Sequence, residues 1–118
     1  MKYIENMMDK FSKKHKEHLL TYGEENFKRL TGLHETSSMD NFSYGVGNRA
    51  ASFRIPSQTA ADNGKGYIED RRPGSNIDPY IVCGMICDTS LIPESESLAP
   101  QMLTHFKDWM NEGRKSKI

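Results

Sequence analysis

The stretch GKGYIEDRRPGSNIDPY (residues 64–80) organises the reading of the chain. Within it, GYIEDR has the two-residue period of a strand. That period sets Glu69 and Arg71 on one face and Ile68, Asp70 and Arg72 on the other. Just upstream, ASFRIP (residues 51–56) reads as a second strand, with Ser52 and Arg54 on one side and Ala51, Phe53 and Ile55 on the other. The intervening SQTAADNGKG (residues 57–66) reads as a loop, with Asn63-Gly64 as its turn signal. Paired as an antiparallel hairpin, the strands gather Arg54, Glu69 and Arg71 on one face. Planar guanidinium groups suit carboxylate and phosphate, and a carboxylate among them can hold a magnesium ion that bridges phosphate oxygens. The same pattern also fits a surface salt-bridge ladder, and the strand period alone leaves both readings open.

Downstream, Asp78-Pro79 supplies an N-cap side chain followed by proline at the first helical position. The helix it opens, through YIVCGMIC (residues 80–87), is apolar nearly all round and is expected to be buried, with Gly84 marking a close approach. Cys83 and Cys87 share one helix face, too far apart for an easy bridge, and read as small buried hydrophobes in a reducing compartment. After a break at IPESES (residues 92–97), Pro100 opens a last amphipathic helix carrying Met102, Leu103, Phe106, Trp109 and Met110, and a basic tail GRKSKI (residues 113–118) follows. Upstream, Tyr3, Ile4, Met7, Met8, Phe11, His15, Leu19 and Leu20 recur at helical spacing over residues 3–20. A short helix is expected over residues 24–30, stopping at Gly32. The segment LHETSSMDN (residues 33–41) is a polar loop that carries Glu35. The expected fold is α+β, a small antiparallel sheet packed with about four helices.

At 118 residues the chain has room for one domain. Lys+Arg and Asp+Glu number 16 each, so no global field draws nucleic acid or an acidic membrane. A mean hydropathy of −0.73 is polar for a self-sufficient domain. No apolar run reaches the roughly 18–20 residues needed to span a bilayer, and the first residues have neither a secretory nor a mitochondrial leader pattern. His15 and His18 have an H-x-x-H spacing without further ligands to complete a zinc site, so they read as ordinary helix histidines. No phosphate-binding glycine loop and no nucleophile elbow is present.

Read in order, IENMMDKFSKKHKEHL (4–19), RLTGLHETSS (29–38), FSYGVGNRAASFRIP (42–56) and GYIEDRRPGSNIDPY (66–80) resemble glutamine synthetase of the eukaryotic type. The likeness covers about residues 3–92, with residues 93–118 divergent. It implies that the chain is the C-terminal part of a catalytic domain that makes glutamine from glutamate, ammonia and ATP with Mg2+ or Mn2+, through an acyl phosphate. By this resemblance Arg29 and Arg71 bind substrate glutamate. Glu35, on a mobile flap, helps deprotonate ammonium. Arg49 contacts the transferring phosphoryl group and Arg54 the ATP phosphates. Tyr67 and Ile68 lie along the nucleotide, and Glu69 is both a metal ligand and an ATP-site residue. Asp70 and Arg72 are then structural, paired on the opposite face. The resemblance further implies a homo-oligomeric ring, a cytoplasmic location (a mitochondrial one staying open for a full-length protein), and no nucleic-acid or membrane partner. The family's remaining metal ligands and its small N-terminal β-domain fall upstream of the motifs present, so the 118 residues alone are expected to be inactive. The alternative is a truncated, non-catalytic relative that docks on a full-length synthetase.

Overall fold

The computed structural model describes residues 1–115, with side chains through residue 112. The last three residues of the basic tail lie outside the described ones. Helices α1 (Lys2–Lys13) and α2 (His15–Leu19) replace the single helix expected over residues 3–20, with a break at Lys14. The break leaves the buried stripe in phase, because Ile4, Met8, Phe11, His15 and His18 follow one another at steps of three and four. The stripe therefore runs through the two histidines, whereas Leu20 is exposed. The short helix expected next is only a 3-10 turn, Asn26–Lys28. Glu25 before it takes a left-handed φ of 61°, which cannot continue a helix.

Three strands form a mixed sheet in the order β1 (Tyr44–Val46), β2 (Phe53–Ile55), β3 (Glu69–Asp70). The expected hairpin is the antiparallel β2–β3 pair, in the register Phe53↔Asp70 and Arg54↔Glu69. Strand β1, which carries no strong pattern, adds in parallel on the other side of β2. Just before these two strands, Ser43 and Ser52 are tied reciprocally, each backbone N–H donating to the other's hydroxyl at 3.1 and 3.2 Å. The segment expected as a loop contains a short helix, α3 (Ser57–Ala61). Thr59 anchors it inward, its hydroxyl donating to the Tyr67 carbonyl at 2.9 Å.

Helix α1 covers the inner side of the sheet, and Ile4, Met8, Phe11, Phe53 and Ile55 form the core, with Phe42 and Ile68 at its margin. Helix α4 (Pro79–Leu91) begins where the Asp78-Pro79 signal puts it, and the Asp78 carboxylate accepts from the Tyr80 N–H at 2.9 Å. It is not buried all round. Val82, Met85 and Asp88 face inward, while Cys83 and Cys87 are exposed, contrary to their expected burial. An apolar helix buries only the sides that have something to pack against, and α1, α2 and α5 (Ala99–Lys115) cover only part of α4. Gly84 does have a packing partner, since a Cβ built there would stand 3.0 Å from the Met102 sulfur of α5. Among the described residues no helix is long and apolar enough to cross a membrane.

Candidate active site

Alternation along β3 builds the site. Glu69 and Arg71 point out, and Ile68, Asp70 and Arg72 point into the core. Antiparallel register sets Arg54 opposite Glu69, and the two side chains meet: Arg54 Nη1 donates to Glu69 Oε1 at 2.9 Å. Arg71 Nη1 lies 3.8 Å from the other oxygen, Oε2. Arg71 also draws in two loops. Its Nε donates to the Arg49 carbonyl at 3.0 Å and its Nη2 to the Glu35 carbonyl at 3.3 Å. Five of the residues singled out from the sequence (Glu35, Arg49, Arg54, Glu69 and Arg71) thus come together around one strand. The side chains of Glu35 and Arg49 are exposed, and His34 and Glu35 both sit at positive φ, 54° and 58°. Consecutive non-glycine residues in that region mark a loop shaped by something other than local preference.

Arg54 Nε is buried and has no hydrogen-bond partner among the described residues. An orphan N–H beside a guanidinium cluster is the kind of donor an anionic oxygen would satisfy. The metal is a different matter. Glu69 supplies one carboxylate, already engaged by arginine, and no cluster of three or more His, Cys, Asp or Glu side chains forms among the described residues. These residues by themselves do not make a metal site.

Arg29 is turned to a different task. Its Nη2 reaches the carbonyls of Arg71, Arg72 and Pro73 at 3.3, 2.7 and 3.2 Å, and its Nε reaches Asn26 Oδ1 at 3.1 Å. It buttresses the backbone that leaves β3. Tyr67 is exposed beside the site, whereas Ile68 packs against the core on the opposite face from Glu69.

Under the sheet lies a buried polar network. Arg72, with no exposed surface, grips Asp70 through two hydrogen bonds of 2.9 Å, from Nε to Oδ1 and from Nη2 to Oδ2. Its guanidinium lies within 6.0 Å of the ring centres of Phe11, Tyr22, Phe42 and Phe53. Arg72 Nη1 meets His15 Nδ1 at 3.0 Å, and His15 Nε2 meets the Met39 carbonyl at 3.0 Å. An arginine only donates and a carbonyl only accepts, so His15 is neutral with its proton on Nε2. Tyr22 gives its hydroxyl proton to Asp70 Oδ2 at 2.8 Å, so His18 Nδ1 carries the proton toward the Tyr22 oxygen. His18 Nε2 then accepts from the Thr89 hydroxyl at 2.6 Å, linking the network to α4.

Burial lowers the pKa of His15, with the Arg72 charge adding to the effect. Burial and Arg72 push His18 down to about 4. Burial, and then the Asp70 carboxylate, hold the Tyr22 hydroxyl protonated far above its ordinary range. The pairing of Asp70 with Arg72 follows from strand alternation. The place of the two histidines and Tyr22 in it does not follow from alternation; for the histidines, the steps of four and three from Phe11 through His15 to His18 are the signal the sequence carries.

No protein-family model matches the chain. Curated relatives do. It is 61% identical over 89 residues to the glutamine synthetase of Eremothecium gossypii and 58% identical over 89 residues to that of Saccharomyces cerevisiae. With the glutamine synthetase of Neurospora crassa the identity is 56% over 96 residues. These matches cover 75%, 75% and 81% of the chain. The chain belongs to the glutamine synthetase family. It spans about a quarter of the length of the curated relatives it matches, 24% to 26%. The α+β arrangement, five helices with a small mixed sheet, is therefore that of a partial glutamine synthetase catalytic domain.

Proposed function

We propose that the chain supplies the anion-handling face of an ATP-dependent glutamate–ammonia ligase. The observation that carries this reading is the meeting of Arg54, Glu69 and Arg71 on one exposed surface, with Arg54 Nε left as a buried donor. Phosphoryl transfer between two anions is chiefly a matter of positioning and charge neutralisation, which guanidinium groups provide. ATP supplies the phosphoryl group that activates the glutamate side chain. Arg54 and Arg49 hold phosphate oxygens, and Tyr67 and Ile68 line the nucleotide side. Arg71 takes the substrate carboxylate, and Arg29 contributes to glutamate binding from its place behind the strand. Glu35 accepts a proton from ammonium when its loop closes, which also keeps water from the acyl phosphate. Glu69 contributes one ligand to a divalent cation whose other ligands come from outside the described residues. The working enzyme is a homo-oligomeric ring in the cytoplasm.

Titrating the 118-residue chain with ATP and following arginine Nε–H signals by NMR tests this reading. The Arg54 signal should move, and Arg54→Ala should weaken binding by about tenfold or more, the worth of a hydrogen bond to a charged group. An Arg54 signal indifferent to ATP would overturn the assignment. In a glutamine-forming assay with glutamate, ammonia, ATP and Mg2+, the same chain is expected to show no sustained turnover, because one carboxylate already paired with arginine does not hold a catalytic metal. Steady glutamine production would mean that the 118 residues carry a complete metal set.

A further inference from the structure

The strand that carries the site ends early. Strand β3 has two ladder residues, and Arg71, whose side chain gathers Glu69 and two loops, stands one residue past them. Its N–H still reaches the Ser52 carbonyl at 2.9 Å. Among the described residues, no strand takes the carbonyls of Arg71, Arg72 and Pro73. Backbone carbonyls away from water need partners, so other groups must hold this segment.

Two side chains at the 3-10 turn do so. Arg29 Nη2 serves all three carbonyls, and Asn26 Nδ2 donates to the Arg72 carbonyl at 2.5 Å. Arg29 is exposed, and a long free side chain would sample many rotamers. Asn26 holds it twice. The Asn26 Oδ1 accepts from Arg29 Nε, and the Asn26 backbone carbonyl accepts from the Arg29 N–H, each at 3.1 Å. Asn26 is itself buried. Its Nδ2 also donates to the Tyr22 carbonyl at 3.0 Å, the same oxygen that takes the Gly74 N–H at 2.8 Å. One amide thus joins the end of α2, Arg29 and the chain leaving β3.

We propose that Asn26 is a positioning residue for carboxylate binding. Acting through Arg29, and directly on the Arg72 carbonyl, it fixes the main chain at residues 71–73 and with it the place of the Arg71 guanidinium. That Arg71 takes a substrate carboxylate rests on the ligase reading; the positioning itself does not.

The influence of Asn26 falls on one side of the site. Arg54 lies on β2, which is paired with β1 on one side and β3 on the other, so the ladder holds its main chain. Arg71 has its N–H bond to Ser52 and, beyond that, the two side chains. Loosening Asn26 therefore displaces Arg71 and spares Arg54. A displacement of about 1 Å is enough to weaken a binding geometry by as much as about a hundredfold. The carboxylate end of the site depends on Asn26, and the phosphate end does not.

The test follows arginine Nε–H signals of the full chain by NMR, first without ligand. The Arg71 Nε–H rests on the Arg49 carbonyl, and the Arg72 Nε–H on Asp70 under the sheet. In Asn26→Ala, exchange of the Arg71 proton with solvent should quicken about tenfold while that of Arg72 stays as in the parent. L-glutamate and, separately, ATP are then titrated in. Asn26→Ala should weaken the glutamate response at Arg71 about tenfold and leave the ATP response at Arg54 within about twofold. Gly74→Ala perturbs the same amide without deleting it, and serves if Asn26→Ala does not fold. A Cβ there would stand 3.3 Å from Asn26 Oδ1 and 3.1 Å from that of Asn76. The same selective pattern is expected, at about threefold. Arg71 and Arg72 quickening together would indicate general loosening and overturn the proposal. So would an Arg71 proton unchanged in both variants, or a variant that binds glutamate as tightly as the parent. A parent Arg71 signal indifferent to glutamate, with the selective exchange intact, would remove the glutamate role of Arg71 and uphold the positioning by Asn26.

Discussion

Replacing Arg72 with methionine is expected to cost the chain about 3–5 kcal/mol, the usual effect of removing one partner from a buried ion pair. A domain of this size has only about 5–15 kcal/mol of stability in total. The loss arises mainly from what is left behind. Asp70 would stay under the sheet without its two charge-assisted hydrogen bonds, and His15 Nδ1 would lose its donor. The four rings around the guanidinium would close on a flexible thioether without the cation they now surround. Arg72→Lys should rescue little, because an ammonium group cannot span both Asp70 oxygens and His15 at once. Urea unfolding followed by circular dichroism measures this directly. The double variant Asp70→Leu, Arg72→Met should be less destabilised than Arg72→Met alone, since no lone buried charge remains. A single variant within about 1 kcal/mol of the parent would show that the network is dispensable.

Arg72 also illustrates what the residues disclose and what they withhold. Its sharing of a face with Asp70 follows from strand period, as does that of Glu69 with Arg71, because side chains two apart on a strand must share a face, and Arg54 joins the latter pair through the antiparallel register of β2 on β3. The start of α4 is equally local, set by an aspartate and a proline. Other features depend on tertiary contacts. Parallel pairing of β1 on β2 needs residues nine positions apart to find each other, and Tyr44–Val46 has no pattern that demands it. Helix α3 competes with a loop reading because SQTAA is short and polar, and a buried hydrogen bond from Thr59 tips the balance. His15 lies in the stripe that the spacing marks, whereas the burial of His18 is masked by the lysines around it in sequence, although its helical phase is that of Phe11. The exposure of the cysteines is hidden for the opposite reason: a uniformly apolar helix does not say which of its sides has a neighbour. In the site itself, the side-chain cluster was within reach of the sequence. The two backbone carbonyls that hold Arg71, and the engagement of Arg29 by three others, were not, because carbonyl positions carry no residue signature.

Acid should unfold the chain through His18. The folded state keeps this imidazole neutral down to about pH 4, against an ordinary value of 6.5. Between those limits the unfolded chain binds a proton that the folded chain refuses, so stability rises with pH across the window and is lost as pH falls from 6.5 toward 4. A displacement of that size corresponds to about 3 kcal/mol at pH 4. The structural cause is on every side of the ring. His18 Nδ1–H faces Tyr22, whose own proton is committed to Asp70. Nε2 accepts from Thr89, and a proton there would set two donors against each other. Arg72 and His15 repel the new charge, while Asp70 and Asp88 compensate only partly. His15, also lowered, acts in the same direction. Thermal melts from pH 7.5 to pH 4 should show the midpoint falling most steeply below pH 6.5. His18→Gln, whose amide can still meet Thr89, should melt lower than the parent at pH 7.5 yet lose less between pH 6.5 and pH 4. If parent and variant fall in parallel across that window, the acid sensitivity lies with groups other than His18.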